Sequence, residues 1–242
     1  MMDHLLLFIL LALIAEILGT IGGFGSSLFF IPIATLFLDI HSVLGVTALF
    51  HVSSNITKIA FFRKGMDKNL ILNIGIPAVI FVIIGAYFSK YINAKLIENI
   101  LSVFLIVTSL TFIIFKNITV KPTRFNSISG GVLSGFIAGL IGTGGAIRGI
   151  TLAAFNLQTE VFIATSSVID LGIDLIRSVV YSLNGFVHKD DLYLIPILLI
   201  VSVLGTLIGK QILKKIKADQ FKTIVLILIL ITGLVSLSKN LL

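Results

Sequence analysis

Two trios of polar side chains stand out in a strongly apolar chain: His51, Asn55 and Lys58, and Asp170, Asp174 and Arg177. Each trio is spaced i, i+4, i+7, so its three side chains share one helical face. The trios align with each other at an offset of 119 residues. Ionisable groups inside apolar segments face protein or a wet cavity and mark binding sites or proton paths. His51, Asp170 and Asp174 lie too deep to reach headgroups, and with Glu16, in the first apolar run, they form the candidate set for proton coupling. Structural assignments compete with these. Lys58 and Arg177, four to six residues from the segment ends, could snorkel to the headgroups. Asp170 or Asp174 could neutralise Arg177, and Glu16 could pair with Lys58 or Arg148.

Two glycine clusters supply a different chemistry: GTIGGFGSS at 19–27 and GLIGTGGAIRG at 139–149. Gly22, Gly23 and Gly25 in the first, and Gly142, Gly144 and Gly145 in the second, allow sharp turns with unpaired backbone N–H groups. A bilayer tolerates such groups only where they are buried in protein or line a wet cavity. A short apolar run follows each cluster, expected to be helical from about Ser26 and Ala146. Two helix N-termini, each carrying about half a positive charge, then point at one place and favour an anion. Arg148 adds a full charge and a fork suited to oxyanions. Leu28 is its counterpart, so the site is asymmetric, with Ser26 and Ser27 in one half and Thr143 and Arg148 in the other. The alternative is glycine used for close packing, with Arg148 paired to a buried acid.

The elements that hold these groups follow from composition. Of 242 residues, 57% are hydrophobic and 12% charged, and mean hydropathy is +1.15. That balance describes an all-α integral membrane protein. Apolar runs fall at about 5–21, 26–38, 43–62, 70–89, 97–115, 126–141, 146–156, 161–183, 192–209 and 221–238. Most match the ~20 residues that span ~30 Å of hydrocarbon, whereas 26–38 and 146–156 are too short. The first run lacks the basic start and cleavage pattern of a secretory signal and is kept as a mature helix. The absence of cysteine rules out disulfides, thiolate metal sites and a cysteine nucleophile. No metal or cofactor is expected, and GGFG has no βαβ context that would make it a nucleotide fingerprint.

An offset of 120 residues pairs Gly19 with Gly139, Gly22 with Gly142, Gly25 with Gly145, Gly65 with Gly185, Gly85 with Gly205 and Lys90 with Lys210. Both halves run in the same order: a broken pair, then three long helices. This predicts two repeats, 1–120 and 121–242, forming one transport domain. Loop charges decide between two topologies. If each broken pair crosses once, Lys and Arg divide eight against seven. If each turns back as a hairpin, eleven face one side, Lys68, Lys121, Arg124 and Lys210 among them, against Lys90, Lys95, Lys189 and Lys239. The hairpin reading therefore puts both termini outside and inverts the second repeat, an arrangement common in secondary transporters. The +7 charge reports topology rather than nucleic acid.

These motifs resemble the TauE/SafE family of sulfite and organosulfonate transporters over the whole chain. Each half of that family opens with a glycine-rich motif, a short helix and often a proline. Here the first motif reads Gly22, Gly23, Phe24, Gly25 with Pro32, and the second Gly142, Thr143, Gly144, Gly145. The second half departs in having no proline near residue 152 and in carrying Arg148 where an apolar residue is common. The resemblance implies transport of sulfite, a sulfonate or a related sulfur oxyanion across a prokaryotic plasma membrane. The expected partners are a small anionic substrate, the lipid bilayer, coupled protons and a second copy in a homodimer. Two other readings use the same residues. An anion channel would share the dipoles and Arg148 but needs no titratable groups. An intramembrane serine protease would use Ser26 or Ser27 with His51, yet the duplicated position is Ala146 and no G-x-S-x-G string occurs.

Cysteines introduced at positions 64, 121 and 215 of this cysteine-free chain are expected to react with a membrane-impermeant thiol reagent only from the cytoplasmic face. Labelling of 64 and 121 in intact cells would contradict the inverted arrangement.

Overall fold

The computed structural model describes residues 2–23, 25–62, 65–115 and 120–215, together with 226–227, 229–231, 233–235 and 237–238. Phe24 of the first motif, and Arg63, Lys64, Lys116, Lys217, Lys222 and Lys239 of the charge count, lie outside the described residues. The first half contains α1 (Met2–Gly22), α2 (Ser27–Ala34), α3 (Ile40–Phe61), α4 (Lys68–Leu70), a π-helical segment (Ile71–Gly75), α5 (Ile76–Ser89) and α6 (Ala94–Ile114). The second contains α7 (Arg124–Ile141), α8 (Gly145–Ala153), α9 (Thr159–Leu183), a 3-10 turn (Lys189–Asp191) and α10 (Leu194–Leu213). The described residues between 226 and 238 are helical as well.

Among the described residues, five helical segments are long and apolar enough to cross a membrane: Leu5–Gly22, Ile40–Phe61, Lys68–Ser89, Ala94–Ile114 and Leu194–Leu213. Large apolar side chains such as Leu72, Ile76, Ile80 and Ile83 point outward, while Glu16, Lys58, Arg148 and Arg177 are buried. A water-soluble protein distributes them the other way, so the outer surface suits lipid. The chain's own polar residues start several helices. The Asp39 side chain accepts from the amides of His41 and Ser42 to cap α3. Asn93 and Thr123 do the same for α6 and α7.

The chain turns back after both long first arms. α1 packs on α2 and α7 on α8, and Gly142 closes α7 in the left-handed region at φ 83°. At 21 residues, α1 is longer than the half-helix a midplane break requires. Packing between elements repeats when the halves are exchanged. α5 lies on α7 as α10 lies on α1, α3 touches α10 as α9 touches α5, and α3 and α9 cross each other at the centre. Several of the paired glycines serve this packing. A Cβ on Gly85 would stand 2.1 Å from the carbonyl oxygen of Phe136, and one on Gly139 2.3 Å from that of Val82, which is how small residues bring membrane helices together.

α3 and α9 run in opposite directions, with His51 meeting Arg177 and Asn55 meeting Asp174. At one end, Ser42 hydrogen-bonds His188 at 2.8 Å and the His41 ring lies on Phe186. At the other, the Asp67 amide donates to Thr165 and Lys210 donates to the carbonyl of Phe61.

Candidate functional site

α3 and α9 carry their polar faces to the centre of the bundle because each trio recurs at helical spacing, and the two glycine turns arrive there from opposite ends. His51 lies near the middle of the 22-residue α3 and Asp170 near the middle of the 25-residue α9. The turn before α2 brings Gly25 and Ser26 to this level, with Gly25 in the left-handed region at φ 86°. The turn before α8 brings Gly142 and Gly144. Ser27 Oγ donates to Thr143 Oγ1 at 3.1 Å, joining the two turns directly.

Between them lies a narrow polar cavity of about 330 Å³, counting space open toward solvent. The first half lines it with Gly25, Ser26 and Ser27 from the turn and with His51, Ser54, Asn55 and Lys58 from α3. The second half contributes Gly142, Gly144, Gly145, Arg148, Asp170, Asp174 and Arg177, with Ala138 and Ile173 as apolar wall. Of the residues expected at a substrate site, Gly22 and Gly23 are not in this lining. Gly23 faces a second cavity, and Thr143 takes part only through Ser27. Glu16 sits behind Ser26 and Lys58, fully buried.

Both short helices open onto the cavity without a side-chain cap: Ser26 and Gly144 occupy the N-cap positions and neither makes a capping bond. Their first N–H groups, together with the helix dipoles, favour negative charge in the space between them.

Every buried cation has a carboxylate beside it. Lys58 Nζ lies 2.9 Å from Glu16 Oε1. Arg148 Nη1 is ion-paired with Asp170, and Arg177 Nε is 2.7 Å from Asp174 Oδ1, a charge contact without an in-line hydrogen bond. Lys58 and Arg177 therefore do not snorkel, and each of the competing structural pairings of Glu16, Asp174 and Arg148 has a counterpart in these contacts.

Hydrogen bonds between the pairs fix a direction. Arg177 donates from Nη1 to the carbonyl of Gly142 and from Nη2 to His51 Nδ1 at 3.2 Å. A guanidinium only donates, so His51 Nδ1 accepts and its proton sits on Nε2, 2.9 Å from Ser26 Oγ. Ser26 in turn donates to Glu16 Oε2 at 2.6 Å. The chain Arg177, His51, Ser26, Glu16 thus runs one way across both halves. His51 donates toward Ser26 and cannot take its proton, which removes the nucleophile-and-base arrangement a serine hydrolase needs.

Glu16 also accepts from Thr20, Ser54 and Thr206, so α1, α3, α10 and the first turn meet on one carboxylate. Arg148 differs from Arg177. Its Nε donates to Ser166 at 3.0 Å and Nη1 holds Asp170. Its Nη2 lies beside Gly25 at the cavity, as does Asp170 Oδ2. Ser54 and Ser166 were absent from the sequence-based set, although they lie at i+3 from His51 and i−4 from Asp170 on the same stripes.

The model of the sulfite exporter TauE/SafE family matches residues 8–236. The chain belongs to the TauE/SafE family. A probable membrane transporter protein of Methanocaldococcus jannaschii is 27% identical over 216 residues, covering 81% of this chain and 80% of that protein. No solved structure matches this TauE/SafE chain. Membership establishes a multi-pass membrane protein of a transporter family.

Glu16→Gln is expected to lower the melting temperature of the purified protein sharply. It strands the Lys58 ammonium, and breaking one side of a buried pair costs about 3–5 kcal/mol. Adding Lys58→Met should recover most of the loss. Equal destabilisation of the single and double variants would show that the pair is not what Glu16 stabilises.

Proposed function

We propose that this chain is a secondary transporter for a small anion, a sulfur oxyanion such as sulfite or an organosulfonate, carried across the cell membrane by alternating access. The observation that carries the reading is the pair of uncapped helix N-termini facing one polar cavity beside Arg148, whose Nη2 lies next to Gly25 on the cavity wall. Gly25, Ser26 and Ser27 on one side, and Gly142, Gly144, Gly145 and Arg148 on the other, are the groups that would hold the anion through N–H, hydroxyl and guanidinium donors. Asn55 donates to Asp174, and together with His51 and Arg177 it sets the shape of the site.

The sulfur oxyanion comes from the family's description, and transport itself is what the family and the archaeal relative have in common. The exchange-symmetric packing, the antiparallel α3 and α9 and the shared ends of the bundle support two inverted repeats, 1–120 and 121–242, and the loop charges are the ground for placing both termini outside. In such folds one repeat rocks against the other about a site near the midplane. The contacts between Ser27 and Thr143, and between His51 and Arg177, cross from one half to the other and are those that rocking must remake.

Arg148→Ala, combined with Asp170→Asn so that no buried acid is left unpaired, is expected to weaken sulfite binding by ~10- to 200-fold. That corresponds to losing one charge-assisted contact of ~1.5–3 kcal/mol. Arg148→Lys should fall between, because a point charge replaces a fork. Unchanged affinity in a folded variant would remove Arg148 from the site.

A further inference from the structure

The central charges cancel: Glu16, Asp170 and Asp174 stand against Lys58, Arg148 and Arg177, each within an ion pair, and His51 is held neutral by the bond it accepts from Arg177. A neutral cluster poses a problem for an anion site. One more negative charge in a buried cavity is uncompensated, and isolated buried charge is costly. The three acids are not equally committed. Glu16 accepts from four hydroxyls and Lys58. Asp174 accepts from Asn55 at 2.7 Å and lies on Arg177. Among the described residues Asp170 is ion-paired with Arg148 and accepts no further side-chain hydrogen bond, and its side chain is 16% exposed against 0% for Glu16 and 5% for Asp174.

Asp170 is also the one of the three that reaches a second cavity. That cavity, about 240 Å³, shares Gly25, Asn55, Lys58 and Asp170 with the first and extends past Ser166 and Ser167 toward the start of α9. A route from that end of the bundle therefore passes the Asp170 carboxylate, which lines both cavities. The groups facing Asp170 are Arg148 from α8, Lys58 from α3, and Asp174 and Arg177 from its own helix.

We infer that Asp170 is a built-in competitor of the substrate: the incoming oxyanion takes over Arg148, and the displaced carboxylate binds one proton, so that anion and proton are carried together. This rests on the anion reading of the cavity. Asp170 occupies Nη1 of Arg148 much as a substrate oxygen would, which selects ligands able to replace a carboxylate on a guanidinium edge. The exchange balances. The Arg148–Asp170 ion pair breaks, an O–H bond forms on Asp170 with a proton from the aqueous route, and for a monovalent oxyanion the net charge of the loaded cluster returns to its value before binding. Release of the anion reverses both steps.

The test uses the purified full-length protein titrated with methanesulfonate and, in parallel, sulfate. Calorimetry in buffers of different ionisation enthalpy counts the protons taken up. One proton per methanesulfonate is expected, with affinity falling about tenfold per unit rise between about pH 6 and 8. Asp170→Asn should bind without proton uptake and without that slope, and Asp170→Glu should keep both. Zero uptake by the native protein overturns the inference whether or not the variants fold, and so does an Asp170→Asn protein that retains the native slope. No binding of either anion at any pH would instead overturn the anion reading of the cavity itself, and this inference with it.

Discussion

The centre of the molecule depends on the one-way run of donors from Arg177 through His51 and Ser26 to Glu16. It begins on α9 in the second half and ends on α1 in the first, and it settles three things together. It fixes the His51 tautomer, it holds the first glycine turn against α3, and through Gly142 it anchors the second turn to the same guanidinium. These groups are almost fully buried, so each partner lost leaves a donor or charge with little water to replace it. That penalty is what locates the glycine turns.

Within this frame the two arginines separate into different tasks. Arg177 has all three of its nitrogens engaged with protein and therefore positions the turns. Arg148 keeps one edge at the cavity, and the acid it holds is the least buried of the three. Two uncapped helix N-termini add positive potential without adding titratable charge. On the proposed reading an anion would meet fixed dipoles and one exchangeable guanidinium in place of a preformed excess of cations. This favours binding that is reversible from either side, as a carrier needs.

Much of this was legible in the residues. Helical spacing placed His51, Asn55 and Lys58 on one face and Asp170, Asp174 and Arg177 on another. The glycine clusters placed the starts of the short helices within one residue of Ser27 and Gly145, because a left-handed turn and an N-terminus leave a local signature. Cross-bundle partners have no such signature. That Asp170 takes Arg148 while Asp174 takes Arg177 depends on how α8 lies on α9, and the Glu16–Lys58 pair depends on α1 meeting α3. The paired glycines mixed two causes, turn formation at Gly25 and Gly142 and close packing at Gly85 and Gly139, which the shared 120-residue offset does not separate.

The most direct test of carrier function is counterflow of radiolabelled sulfite in proteoliposomes preloaded with unlabelled sulfite. A site reached alternately from each side predicts a transient accumulation of label above its equilibrium level, because internal substrate returns the carrier while the label is still dilute inside. Label that only equilibrates, at a rate indifferent to the internal sulfite, would contradict alternating access and point to a channel.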